Sequence, residues 1–295
     1  PGKTCDINIP YTTAVDDKLF LWRKNCSYSK SLSGNQRNEW RREEDAVRCS
    51  CCSKDIFQNL TFSEIIGVSK YRLPQTCSVC RAQFHLLETR VCSGCQKPIH
   101  FNLESTKKKV KSIPVYCSDC QEWKKKYPTY DFQHRAFFVY DENMKAWLNQ
   151  YKFMGDIRLA GTFAYKWTQI KKEYPTYIYC PIPLSEKRRT ERGFNQVSEM
   201  LKAARIPFQM LLKRKKHLLA QAKNTRKERL EMPQPFELAV TFSKIQNKKI
   251  LIIDDVYTTG QTLFHAADCL QVAQPKIIRT ISLARLIRCG NLIAI

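Results

Sequence analysis

The segment Ile250-Leu251-Ile252-Ile253-Asp254-Asp255-Val256-Tyr257-Thr258-Thr259-Gly260-Gln261-Thr262 changes character twice within a few residues. Its first four positions are an unbroken β-branched and leucine run, as expected of a central strand buried on both faces of a parallel sheet. Two adjacent carboxylates follow. Such a pair is costly at the end of a buried strand unless it opens on a cleft, where it accepts hydrogen bonds from vicinal hydroxyls or approaches a divalent cation. Small hydroxylated residues and a glycine then lead into a helical stretch. Successive backbone N–H groups, the helix dipole and the hydroxyls of Thr258, Thr259 and Thr262 make a cradle for a phosphate there. Acceptors for a ribose and donors for a phosphate thus lie on one strand–loop–helix unit.

Outward from this segment the texture is α/β. Apolar patterning predicts strands over 134–140, 177–184, 248–255 and 276–284. It predicts helices over 143–172, broken near Gly155, and over 186–205 and 260–273. Strands alternating with helices imply a doubly wound, mostly parallel sheet, whose ligands bind at the strand C-termini. A second block, Pro181-Ile182-Pro183-Leu184-Ser185 with Arg188, Arg189, Arg192, Gly193, Phe194, Asn195 and Gln196, sits at such an end. It would place Ser185 and a guanidinium cluster beside the acidic loop, suited to clamping pyrophosphate; the plainer reading of those arginines is a solvated helix face. A Walker B strand also ends in acidic residues. It needs a P-loop, however, and the fragment Gly2-Lys3-Thr4 is followed by an extended stretch and Pro10 rather than a helix.

The acidic strand and its loop closely resemble the signature of type I phosphoribosyltransferases, which bind 5-phosphoribosyl-1-pyrophosphate (PRPP). With the 181–196 block and the segment Tyr151-Lys152-Phe153-Met154-Gly155-Asp156, the resemblance narrows to the ComF (ComFC) family of competence-associated proteins and covers about residues 49–285. It implies a type I phosphoribosyltransferase fold over 132–285, with a tail at 286–295. It also implies that Asp254 and Asp255 hold the ribose hydroxyls as the catalytic pair, with Mg²⁺ accompanying PRPP. Thr258, Thr259, Gly260, Gln261, Thr262, Ser185, Arg188, Arg192 and Lys152 would then be phosphate or PRPP ligands. Residues 221–229 occupy the place of a mobile loop that closes over substrate.

Eight of the 14 cysteines fall in four C-x-x-C pairs: Cys49/Cys52, Cys77/Cys80, Cys92/Cys95 and Cys117/Cys120. With no export signal in view, that arrangement favours metal over disulfides. Zinc takes four tetrahedral thiolates and each pair supplies two, so four pairs suit about two structural sites. The first two pairs are 24 residues apart and the last two 21. Sequential pairing makes 48–121 a double zinc ribbon, as in ComF-like proteins, and cross-braced pairing stays open. Cys51 is an alternative ligand to its neighbours. A linker of Lys, Tyr, Pro and Thr is expected over 121–131. Residues 1–47 show no sustained period and read as a poorly ordered arm or a miscalled start.

The 295 residues carry 50 Lys and Arg against 27 Asp and Glu, a formal charge of +23. Two tetrathiolate zinc sites would lower it only to roughly +19. Such a field attracts polyanions in a salt-dependent way. No apolar run approaches the roughly 18–20 residues of a membrane span, and the chain reads as cytoplasmic, meeting the membrane through the uptake machinery. Two functions stand side by side. One is a phosphoribosyltransferase-like protein using PRPP. The other is a non-catalytic module of natural competence and DNA uptake, whose partner is single-stranded DNA or a helicase. The basic positions 213–216, 223, 226, 227 and 229 are its candidate contacts.

Overall fold

A computed structural model describes residues 48–56, 75–87, 92–98, 114–128, 130–215 and 234–287. The expectations for 1–47, for the closing loop 221–229 and for most of the tail lie outside these residues. The core is a four-stranded parallel sheet of β1 (His134–Val139), β2 (Ile178–Pro181), β5 (Lys249–Tyr257) and β6 (Ile277–Arg285) in the order β1-β6-β5-β2. A separate antiparallel pair joins β3 (Leu212–Arg214) and β4 (Phe236–Leu238). The helices of the α/β part are α3 (Glu142–Phe153), α4 (Ala164–Glu173), α5 (Glu186–Arg192), α6 (Gln196–Ala203) and α7 (Gln261–Gln271).

Because side chains alternate along a strand, β5 feeds two cores. Leu251 and Ile253 join the layer of α3, α4 and α6. Ile250 and Ile252 join the layer of α7, with Phe264 and Leu270. The cysteine-rich module is divided the same way. Its first unit, with helix α1 (Ser78–Ala82), contributes Cys49, Cys80 and Phe84 to the first core. Its second, with helix α2 (Ser118–Lys126), contributes Cys92, Cys95, Cys120 and Trp123 to the other. Both units also line the free edge of β1. Leu86 bridges to Phe138, and His134 N–H donates to the Gly94 carbonyl at 2.7 Å. Those contacts cover an edge that would otherwise offer itself to another chain.

Three elements differ from the sequence expectations. The stretch 186–205 is two helices, because Gly193 adopts φ +74° and ends α5, and Asn195 restarts the chain by capping α6. The strand expected over 177–184 closes at Pro181: Ile182 N–H makes a last bond to the Ile253 carbonyl at 2.9 Å, and the Ile182 carbonyl accepts from Asn195 Nδ2 at 2.9 Å. The 121–131 segment is no simple linker, since α2 runs through Lys126 and docks Trp123 in the core.

Candidate functional site

β5 delivers Asp254 and Asp255 at the C-terminal edge of the sheet, where the sequence expects a ligand. Asp255 is buried and its Oδ2 receives two donors, Lys152 Nζ at 2.7 Å and Gln196 Nε2 at 2.5 Å. Gln196 is itself oriented: Arg192 Nη1 donates to its Oε1 at 3.2 Å and the Tyr151 hydroxyl donates to its carbonyl at 2.8 Å. Burial opposes ionisation of Asp255. The Lys152 ammonium and the hydrogen bonds from Lys152 and Gln196 outweigh it and hold its pKa below the ordinary value. Asp254 has no cation at bonding distance among the described residues; burial, then the neighbouring Asp255 charge, pushes its pKa up to about 7. Its Oδ1 accepts the Asp255 N–H at 2.9 Å. The pair therefore holds one firm carboxylate and one that exchanges its proton near neutrality.

The phosphate loop follows immediately. Gly260 adopts φ +83° and opens α7, and a Cβ there would lie 2.3 Å from the Tyr257 hydroxyl. Only glycine makes this turn without displacing a buried ring. The first-turn N–H groups of α7 have no helical acceptors and form the positive end of the helix dipole. A shallow pocket is lined by Asp254, Val256, Tyr257, Thr258, Gly260, Gln261 and Thr262, so carboxylate and loop share one concavity.

The remaining candidates are spread around it. Lys152 and Arg192 belong to the Asp255 network. Ser185 caps α5, its Oγ accepting the Arg188 N–H at 3.3 Å, and Arg188 stays exposed. Arg214 is a neighbour of the site that reads from sequence as part of a basic run. It alternates inward between exposed Lys213 and Lys215, donates Nε to the Pro183 carbonyl at 3.0 Å, and lies over the Phe236 ring. Burial, then Arg188, lowers its pKa, and Asp254 opposes the shift. Gln196 was visible in the quoted block but carried no assigned role.

The four cysteine pairs form two tetrads, Cys49/Cys52/Cys77/Cys80 and Cys92/Cys95/Cys117/Cys120, each with its sulfurs within 4.8 Å of one another. Pairing is therefore sequential. Sγ separations of 3.9 Å (Cys52–Cys77) and 3.5 Å (Cys95–Cys117) exceed the roughly 2.05 Å of a disulfide. They match the roughly 3.8 Å edge of a tetrahedron with Zn–S of about 2.3 Å. The units repeat one geometry: Cys77 N–H points to Cys49 Sγ at 3.3 Å and Cys117 N–H to Cys92 Sγ at 3.2 Å. The second pair of each starts a helix, whose N-terminus favours thiolate. Without a metal the protons divide unequally. Cys117 is lowered to about 7, chiefly by its hydrogen bond with Cys120, while Cys95 and Cys120 are raised, Cys117 being the leading cause. A divalent cation would let all four ionise. Cys51 lies outside the tetrad, with Sγ 3.2 Å from Thr162 Oγ1.

A family model for the phosphoribosyl transferase domain matches residues 190–290. The chain is 34% identical over 241 residues to competence protein ComFC of Streptococcus pneumoniae, covering 81% of this chain and all of the relative. The chain belongs to the ComFC family. ComFC of Bacillus subtilis is 29% identical over 227 residues, covering 75% of this chain and 88% of its own length. Among solved structures, a hypoxanthine phosphoribosyltransferase from Staphylococcus aureus is similar at 17% identity, with TM-score 0.27 over 45% of this chain and 62% of the other. The parallel sheet and the matched domain give this ComFC-family chain a phosphoribosyltransferase-type fold behind a two-tetrad cysteine module. No helix among the described residues is long and apolar enough to cross a membrane.

Proposed function

We propose that this protein binds PRPP, or a closely related phosphorylated ribose, with Mg²⁺ in the Asp254/Asp255 site, and that it does so in the service of DNA uptake. One observation carries the reading: near the C-terminal end of a buried strand Asp254 shares a concavity with a glycine-opened helix N-terminus, and Asp255 is the next residue along that strand. In this reading the carboxylates accept the ribose hydroxyls and the loop 258–262 takes the 5′-phosphate. The cations Lys152, Arg192 and Arg214, with Arg188 from solvent, offset the charge of the pyrophosphate. Mg²⁺ would accompany the pyrophosphate. Transfer of the phosphoribosyl group would then rest on positioning and electrostatics rather than on a covalent nucleophile. Zinc in both tetrads is the structural cofactor of the same proposal.

The test is equilibrium binding of labelled PRPP with and without Mg²⁺. The double variant Asp254→Asn/Asp255→Asn should weaken PRPP, each lost charged acceptor costing on the order of 1–3 kcal/mol. Thr259→Val/Thr262→Val should weaken PRPP and ribose 5-phosphate alike. Unchanged affinity in both double variants would reduce the motif to a structural corner. The charge of +23 favours a second reading, a module that binds single-stranded DNA or docks a helicase. Salt-sensitive binding of an oligonucleotide in a protein that takes up no PRPP is the outcome that would select it.

A further inference from the structure

The second cysteine unit reaches the phosphate loop directly through Trp123 and at one remove through Arg285 and Tyr257, whereas the first unit makes no such contact among the described residues. Helix α2 begins at the ligand pair Cys117 and Cys120 and places Trp123 one turn further on. The indole is buried, stacked on Phe264 of α7 at 4.1 Å and 16°, and its Nε1–H donates to the Thr259 carbonyl at 3.0 Å. That carbonyl belongs to the peptide unit joining Thr259 to Gly260. In a trans peptide C=O and N–H point to opposite sides, so fixing the carbonyl toward Trp123 directs the Gly260 N–H away from the cysteine unit. The indirect route runs through Arg285. Its Nη1 donates to the Cys95 carbonyl at 2.6 Å, and its guanidinium lies 4.4 Å from the centre of the Tyr257 ring. That ring fills the space a Cβ on Gly260 would need. The first centre instead spends its contacts on the opposite layer: Ser50, Cys51 and Thr76 meet Thr162, and Gln75 meets the Ala203 carbonyl.

We propose that the second cysteine centre sets the shape of the phosphate loop, with Trp123 as the positioning residue. The ligand assigned to that loop rests on the phosphoribosyl reading above, whereas the loop's dependence on Trp123 does not. Ligand affinity then follows the state of the second centre, and the first serves the fold alone.

The experiment uses the full chain loaded with metal and the substitution Trp123→Phe, which keeps a ring on Phe264 and deletes the N–H donor. Metal content, hydrogen exchange by peptide and ribose 5-phosphate affinity are compared with wild type. The expected result is unchanged metal content, faster exchange confined to 258–264, and ribose 5-phosphate bound about two- to tenfold more weakly, the range for one lost neutral hydrogen bond. Wild-type exchange in the loop of the Phe variant overturns the proposal. So does faster exchange spread evenly over α2 and the sheet, which marks general loosening, or loss of metal, which would make Trp123 a support of the centre. If wild type fails to bind ribose 5-phosphate while the loop still responds to Trp123→Phe, the phosphoribosyl reading falls and the positioning role stands.

Discussion

Asp254 and Asp255 are adjacent in sequence yet oppositely tuned, and the difference comes from side chains far away in the chain. Lys152 and Gln196 both reach Asp255, and neither bonds Asp254. Sequence patterning places the acidic pair because a strand end is a local feature. It leaves Gln196 and Trp123 unassigned and counts Arg214 only within a basic run for nucleic acid, because their places at the site arise only when separate elements meet. The tuning has a pH consequence. Burial raises Asp254 to about 7 in the folded protein, against an ordinary aspartate value of 3.8. A raised acid contributes stability that is full below the unfolded value and is lost as pH rises through the folded one. Asp255, lowered, works in the opposite sense, its contribution being lost as pH falls through its folded value. Ligand-free Asp254→Asn should therefore lose less stability than wild type between pH 4 and 7 (about the window set by those two values), and denaturant unfolding across that range measures it. Parallel curves for the two proteins would mean that Asp254 ionises normally.

Elements follow the same division between local and non-local information. The central strands β5 and β6 are legible from β-branched runs, and α7 from its glycine start and apolar period. The strands β3 and β4, three residues each, carry too little pattern to be read, and they exist because Leu212 and Phe236 find a core between α7 and β2. Helix α2 is hidden by its lysines, which decorate the exposed side while Cys120 and Trp123 anchor the other. Turns show how much one position can depend on its surroundings. Gly155 and Gly260 both have positive φ, but a Cβ on Gly155 would meet nothing within 4 Å, whereas on Gly260 it would strike Tyr257. Gly155→Ala should cost roughly 1–2 kcal/mol for the left-handed backbone. Gly260→Ala should cost about 3 kcal/mol or more, because displacement of a buried ring is added to the backbone term. Thermal or urea unfolding of the two variants gives the comparison, and equal losses would show that Tyr257 yields freely.

At the scale of the whole molecule, the sequence reveals a cysteine module in front of an α/β domain, and the C-x-x-C spacing accommodates either pairing. What it does not reveal is that the sheet lies between the two tetrads. That arrangement depends on where β1 falls, since both units line its edge and then diverge to opposite layers. Each layer is consequently built partly on cysteine. Phe84 of the first unit packs edge-on to Phe163 at 4.8 Å, and Trp123 of the second stacks on Phe264. Thiols that share protons unequally in each tetrad would repack or repel without a cation to let all four ionise. Zinc is thus expected at about two ions per chain after gel filtration. Removing it with a chelator under reducing conditions should disturb aromatic packing on both faces at once, with loss of near-UV circular dichroism and a lower unfolding midpoint. Serine at Cys49 and, separately, at Cys92 should each remove one ion. The Cys92 variant alone should also weaken ribose 5-phosphate binding, because among the described residues only its unit reaches the Thr259 carbonyl. A metal-free chain that keeps its near-UV spectrum and midpoint would show that the tetrads are packing cysteines, and that both layers stand without them.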